Sequence, residues 1–156
     1  MKKGFSLPLW VTGAARSAAK KLIGLPFEDY ELIKIPKDKN LVKIKVHSSG
    51  LINGESHALG ISFVNSGLDL DITQNLEIWT IVSFEKTDTT VNKSFDLVNI
   101  IPGYGVGVDQ KTSEICISNF AKKVLVENLL DIIPKGYRVN LEIIFPNGKF
   151  LAERTS

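Results

Sequence analysis

The sequence predicts an α+β fold in which two main helices pack on a mostly antiparallel or mixed β-sheet. Three observations predict this class. Most strand-like segments follow one another directly, and only two segments show helical periodicity. Residues 137–145 alternate almost strictly between apolar and polar types, which is typical of a half-buried strand. The chain has 156 residues, a length that suits one α+β domain over residues 1–156.

Two segments have the apolar spacing of helices. The first helix is predicted from Thr12, as its N-cap, to about Ile23. The second is predicted from Ser118 or Asn119 to Ile133. Glycine and proline follow both segments and are expected to end the helices.

The remaining regular segments are expected to be strands. They are predicted at 30–36, 40–47, 57–64, 75–84, 95–101, 114–117 and 137–145, with a turn from Ser48 to Gly54. In the second of these strands, Leu41, Lys43 and Lys45 share one face, and the residues between them form an apolar face. We expect the apolar face to meet the core and the lysine face to meet solvent.

Charge is distributed unevenly along a chain whose net charge is only +2. Residues 1–45 contain ten Lys or Arg and four acids, whereas residues 46–100 contain two and seven. The basic first third is either an ordinary solvated surface or a surface that faces an anionic ligand. A nucleic-acid partner is not expected, because the basic residues are not interleaved with aromatic ones on any element.

Several other classes of protein are not favoured. The single Cys116 forms no internal disulfide, and its isoleucine neighbours indicate a buried thiol. No apolar run approaches the roughly 20 residues of a membrane span, and Pro8 interrupts the short apolar N-terminal run. His47 and His57 have no metal-ligand spacing, so no intrinsic metal is expected. The expected location is the cytoplasm.

Two internal segments could carry chemistry. Asp69 and Asp71 project to one side of an extended run, where they could bind a cation or form the wet face of an edge strand. Gly103, Gly105 and Gly107 follow a Gly-x-Gly-x-Gly spacing, which is neither a dinucleotide fingerprint nor a phosphate loop. By themselves these glycines indicate a turn or a closely approached strand. Ser6, Ser17 and Thr12 have no recognisable base partner, so no nucleophilic triad is predicted.

Together with the C-terminal segment 148–155, these runs resemble the first half of the CbiD family. Residues 64–73 resemble the family's Lys-Asp-Ala-Gly-Asp-Asp-Pro-Asp-Val-Thr-type run, with matches at Gly67, Asp69, Asp71 and Thr73. Residues 103–107 resemble its Gly-Gly-x-Gly-Val-Gly element, and residues 148–155 its Gly-x-x-(Ile/Leu)-Ala-x-x-Thr ending.

The N-terminus resembles the family's Gly-Phe/Tyr-Thr-Thr-Gly-x-Cys-Ala segment. Gly4, Phe5, Thr12 and Gly13 are retained, an insertion separates the two pairs, and Ala15 replaces the cysteine. Family members put the carbon-1 methyl group on a cobalt-containing corrin precursor during anaerobic cobalamin synthesis. The resemblance therefore implies an N-terminal α+β domain of such an enzyme, without its C-terminal α/β domain.

The resemblance also implies a methyl donor, a substrate and site residues. The donor would be S-adenosylmethionine, held mainly by the absent C-terminal half, so the chain alone is expected to transfer no methyl group. The substrate would be a cobalt-precorrin, an anionic tetrapyrrole. The residues that would line or shape its side of the site are Thr12, Gly13, Asp69, Asp71, Thr73, Gly103, Gly105 and Gly107.

Two other interpretations remain open at this point. The chain could be a diverged, non-catalytic CbiD-like module that binds a corrinoid or assembles as a homo-oligomer or with a partner subunit. It could also be a small anion- or RNA-binding α+β domain unrelated to corrins. No membrane partner is expected under any of these interpretations.

Overall fold

The computed structural model describes residues 7–38, 40–64, 76–87, 94–106 and 118–147, which form two helices, seven strands and one short 3₁₀ helix. The helices are α1 (Leu7–Leu22) and α2 (Asn119–Leu129). The strands are β1 (Tyr30–Lys34), β2 (Leu41–Lys45), β3 (Ser48–Ile52), β4 (His57–Phe63), β5 (Glu77–Lys86), β6 (Val98–Pro102) and β7 (Tyr137–Ile144). The 3₁₀ helix (Ser94–Leu97) takes the place of the start predicted for β6. The predicted α+β class is confirmed.

The strands form two separate sheets. Strands β1 and β2 pair antiparallel in a two-stranded sheet. The other five strands are ordered β3-β4-β5-β7-β6, and all their pairings are antiparallel except that of β6 with β7. The predicted mixed sheet is therefore present, and the small sheet beside it is an addition that the sequence did not indicate.

Helix α1 begins earlier than predicted. It starts at Leu7, and Thr12 lies within it rather than capping it. Pro8 is tolerated in the first turn because the N–H groups there have no acceptor within the helix. The Thr12 hydroxyl donates to the Pro8 carbonyl oxygen at 2.7 Å, so its hydrogen bond is made one turn back along the helix. The prediction of Thr12 as an N-cap was wrong.

Strand β2 confirms the predicted division of its two faces. Lys43, Lys45 and Leu41 are exposed, whereas Ile44 is completely buried. The segment after β2 is different from the prediction, because residues 48–52 form β3 at the edge of the larger sheet. The turn is confined to residues 53–56. The serines and glycine of β3 are not typical strand residues, so the sequence pattern did not indicate the strand that pairs with β4.

The core lies between the helices and the inner face of the larger sheet. Helix α1 packs across β4 and β5, and four small residues of its inner side are completely buried: Ala14, Ala15, Ala18 and Ala19. Helix α2 packs beside α1 and begins where predicted, but it ends at Leu129 rather than at Ile133. The Ser118 hydroxyl caps it by accepting from the Ala121 N–H at 3.1 Å. Neither helix is long and apolar enough to cross a bilayer.

Candidate functional site

Of the predicted site residues, Thr12 and Gly13 lie in the protein interior. Thr12 is completely buried. A Cβ atom on Gly13 would lie 2.7 Å from Cγ2 of Ile44, so the missing side chain allows α1 to approach β2 closely. These two residues can shape a binding surface from beneath. Their contact with a substrate stays a prediction.

Gly103 and Gly105 form a turn beside the end of β7. The Gly103 N–H donates to the Ile143 carbonyl oxygen at 2.9 Å, and a Cβ atom on Gly103 would lie 2.6 Å from the same oxygen. The Val106 N–H closes the turn by donating to the Gly103 carbonyl oxygen at 3.2 Å, and Gly105 has a φ of 83°. The missing side chain at Gly103 therefore allows this turn to lie close to β7.

The other predicted residues, Asp69, Asp71, Thr73 and Gly107, lie outside the described residues. The described pairs pack against different parts of the fold. Gly13 faces β2 of the small sheet, and Gly103 faces β7 of the large one.

A buried charge cluster was not identified from the sequence. Glu31 on β1 is only 3% exposed and lies between two cations of α1. Its carboxylate forms an ion pair with Arg16, whose Nε lies 3.2 Å away, and accepts a hydrogen bond from Lys20 Nζ at 3.1 Å. Lys20 Nζ also lies 3.2 Å from Glu28. The available signal was the alternation of β1, because it places Glu31 on the same face as Ile33.

A second carboxylate completes the cluster from beyond α2. Arg16 forms a bidentate pair with Asp131, at 2.7 Å and 3.0 Å, and donates to the Asn128 carbonyl oxygen at 2.8 Å. Arg16 therefore joins β1, through Glu31, to the end of α2. The cluster ties together three elements that are distant in sequence.

The protonation of these groups reflects burial and pairing. Burial raises the pKa of Glu31, and the nearby Lys20 and Arg16 only partly oppose this effect. The hydrogen bond from Arg16 lowers the pKa of Asp131. Burial alone would lower the pKa of Lys20, but its bonds to Glu31 and Glu28 outweigh this and raise the pKa. At neutral pH, each cation of the cluster is therefore paired with carboxylates of the same cluster.

The cleft at this cluster is too small for either expected ligand. It encloses about 150 Å³ and is lined by Arg16, Lys20, Glu28, Tyr30, Glu31 and Leu32. Small-molecule sites usually measure roughly 300–1,000 Å³. Neither a tetrapyrrole nor S-adenosylmethionine fits this cleft. The Gly103 turn offers no substitute, because its N–H is already bound to β7.

The described ranges contain no group of three His, Cys, Asp or Glu side chains that could hold a metal ion. His47 lies beside Ser48 and contacts the Phe63 ring edge-on. His57 lies beside Ser56. None of these contacts is with an acidic side chain.

Comparisons with a family profile and with curated proteins both identify the same protein family. The profile of the CbiD family matches residues 1–156. The chain is 81% identical over 156 residues to a cobalt-precorrin-5B C(1)-methyltransferase of Prochlorococcus marinus subsp. pastoris, and 69% identical to one from Prochlorococcus marinus strain MIT 9215. Each match covers all of this chain but only 42% of the relative, so the chain is less than half the length of these curated relatives.

A solved structure shares the fold. The crystal structure of the cobalamin biosynthesis protein cbiD from Archaeoglobus fulgidus superposes with a TM-score of 0.64 at 18% sequence identity. The match covers 99% of this chain and 47% of that one. The resemblance predicted from scattered motifs is confirmed by the match over the full chain. Residues 1–156 therefore belong to the CbiD family.

Proposed function

We propose that this chain is the corrin-substrate domain of an S-adenosylmethionine-dependent methyltransferase of cobalamin (cobalt-precorrin) biosynthesis. The observation that carries the proposal is the family match over all 156 residues, together with relatives named cobalt-precorrin-5B C(1)-methyltransferase. Because the chain spans 42% of those relatives, we assign it one side of the reaction only. The cytoplasm is the proposed location.

The proposed task of this chain is to bind and orient the ring. Methyl transfer needs a carbon nucleophile in line with an electrophilic methyl group, which S-adenosylmethionine supplies when bound. Holding the nucleophile in this geometry and excluding water supplies a large part of the rate. Cobalt-precorrins have many peripheral carboxylates, and the basic first third of the chain suits them because it concentrates anions.

The predicted site residues keep distinct roles in this proposal. Gly103 and Gly105 form a close turn at the sheet edge, and Gly13 allows α1 to approach β2 of the small sheet, next to the buried Thr12. Asp69, Asp71, Thr73 and Gly107 remain proposed as substrate-side residues on the family resemblance alone. The methyl donor would be bound mainly by residues outside this chain.

A binding experiment with two readouts tests the proposal. The visible spectrum of a cobalt corrin polycarboxylate, cobyrinic acid, is recorded while Met1–Ser156 is added at low ionic strength. We expect saturable spectral change that weakens as salt is raised, and no methyl transfer when S-adenosylmethionine is added. No binding at any ionic strength would contradict a substrate role.

The alternative is a non-catalytic CbiD-like module that assembles with a copy of itself or with a partner subunit. The observation that favours it is the pairing of every ionisable group in the charge cluster, which leaves no free acid or base there. Adding the remaining C-terminal part of a relative as a separate polypeptide separates the two proposals. Methyl transfer by the mixture supports the substrate domain, and binding of corrin without transfer supports the module.

A further inference from the structure

The outward face of the small sheet has a regular composition. Each of its three cross-strand pairs joins one lysine to one apolar or aromatic residue: Tyr30 with Lys45, Leu32 with Lys43, and Lys34 with Leu41. Successive pairs along the sheet are about 7 Å apart. We call these six residues the lysine–leucine face.

The apolar residues of this face are unusually open to solvent. Leu32 is 47% exposed and Leu41 is 56% exposed, and the three lysines are exposed as well. A single exposed leucine needs no explanation. Here the two leucines and Tyr30 share one side of a sheet with three cations, so the surface combines apolar area with positive charge.

The three ammonium groups form no ion pair with any acid that the structure describes. Within the part of the chain that the structure describes, no ion pair involves Lys34, Lys43 or Lys45. Lys43 Nζ instead lies 4.4 Å from the centre of the Tyr30 ring. Such cations can pair with a ligand without first breaking an internal salt bridge.

Three of the acids among the described residues 28–38 are bound by other groups. Glu31 points to the opposite face of β1, where it binds Arg16 and Lys20. Glu28 pairs with Lys20, and Asp38 accepts from the Asn40 N–H at 2.9 Å. Asp29 precedes β1 and is the fourth acid among the described residues 28–38. Burying Glu31 inward therefore leaves the outward face with an excess of positive charge.

We propose that the lysine–leucine face docks the anionic corrin, an inference that rests on the proposed function and names its surface. Leu32 and Leu41 contact the apolar ring system, and the three lysines pair with carboxylates at the rim. The charge cluster behind β1 fixes the strand from the other side. The face needs no enclosed pocket, which agrees with the small size of the cleft beside it.

This chemistry fits a corrin better than a nucleic acid. Single-stranded nucleic acids are bound by aromatic side chains that stack on successive bases. The face offers one aromatic ring, Tyr30, and Lys43 already lies over it. A flat apolar ligand with carboxylates at its rim offers its ring to the apolar or aromatic residue of each cross-strand pair and a carboxylate to the lysine of that pair.

The test compares two triple variants of Met1–Ser156. The first, Lys34→Ala with Lys43→Ala and Lys45→Ala, removes the charges of the face. The matched control, Lys122→Ala with Lys123→Ala and Lys135→Ala, removes three exposed lysines near α2. Both are titrated with cobyrinic acid and with cobinamide, a corrin whose side-chain carboxylates are amidated. Circular dichroism checks that each variant is folded.

We expect the face variant to bind cobyrinic acid about ten-fold more weakly than the unmodified chain, because three exposed charge contacts are lost. Its affinity should also fall less steeply with salt, and the control should match the unmodified chain. Cobinamide should bind weakly to all three proteins. A second variant, Leu32→Ser with Leu41→Ser, should weaken the binding of both corrins.

Each contrary result has a distinct meaning. If both triple variants bind cobyrinic acid equally, the docking face is elsewhere, although the proposed function stands. If the unmodified chain binds neither corrin, the proposed function and this inference both fail. If a single-stranded RNA binds more tightly than cobyrinic acid, and only the face variant loses that binding, the surface is a nucleic-acid site and the inference is wrong.

Discussion

The side-chain amide of Asn128 binds both backbone polar groups of Lys34. Its Oδ1 accepts from the Lys34 N–H at 2.8 Å, and its Nδ2 donates to the Lys34 carbonyl oxygen at 2.8 Å. Nδ2 also donates to the Val124 carbonyl oxygen at 2.8 Å. Asn128 thus acts as a strand partner for the last residue of β1 and fixes the small sheet to α2.

Replacing Asn128 with Ala is expected to destabilise the fold. The change removes the side-chain partner of the Lys34 N–H and carbonyl groups at a buried position, which should lower the free energy of unfolding by about 2–3 kcal/mol. Urea unfolding followed by circular dichroism measures this loss. Asn119→Ala, at the exposed first residue of α2, is the control and should stay within about 0.5 kcal/mol of the unmodified chain. Equal effects of the two changes would contradict the bridging role.

Local sequence patterns predicted the faces and caps of single elements. The alternation of β2 placed Lys43 and Lys45 in solvent, and the residue type of Ser118 located the start of α2. These features depend on neighbours only a few positions away. Thr12 shows the limit of such reasoning, because a threonine hydroxyl can either cap a helix or bind a carbonyl one turn earlier.

Contacts between distant elements could not be predicted from one sequence. Arg16, Glu31 and Asp131 meet only because α1 lies between β1 and the end of α2. No spacing rule joins these positions. The reason for Gly103 was likewise not predictable, because it is a contact with the distant strand β7. Asp69 and Asp71 lie outside the described residues and stay predictions.

Glu31→Gln is expected to retain or increase stability at neutral pH. Burial raises the pKa of Glu31 in the folded chain, so its ionised form is less favourable there than in the unfolded chain. The contribution of Glu31 to stability is complete below its ordinary pKa of 4.5 and is lost as the pH rises through the raised pKa of the folded chain. Glutamine resembles the protonated acid in shape and removes this loss, while Lys20 keeps Glu28 and Arg16 keeps Asp131.

The measurement for Glu31→Gln is urea unfolding at pH 7 and near pH 4. The variant should equal or exceed the unmodified chain at pH 7, and the difference should shrink toward pH 4. Glu31→Ala serves as the comparison, since it removes packing as well as charge and should be less stable than Glu31→Gln at both pH values. A loss of more than about 1 kcal/mol for Glu31→Gln at pH 7 would mean that the ion pair outweighs its burial.

Asp131→Asn should have the opposite pH dependence. The hydrogen bond from Arg16 lowers the folded-state pKa of Asp131, so its contribution is present above the ordinary value of 3.8 and is lost as pH falls through the lowered pKa. Asp131 is 61% exposed, so the pair should contribute less than about 1 kcal/mol at pH 7. The unmodified chain and the variant should converge in stability below pH 3.8. Glu127→Gln, which neutralises an exposed acid of α2, controls for net charge, and an unchanged gap in acid would contradict the prediction.

Gly60→Ala is expected to be the most damaging of these changes because it separates α1 from the sheet. Gly60 is buried on β4, and a Cβ atom there would overlap the carbonyl oxygen of Ala14 in α1 and lie 3.0 Å from Oγ1 of Thr80. A helix backbone cannot rotate away as a side chain can, so we expect a loss of about 3 kcal/mol or failure to fold. Gly50→Ala on the neighbouring strand β3 is the matched control, since a Cβ atom there meets nothing within 4 Å.

Thermal unfolding of both variants distinguishes a steric effect from a general intolerance of alanine in these strands. Similar melting temperatures for the two would show that α1 does not pack as closely on β4 as the structure indicates.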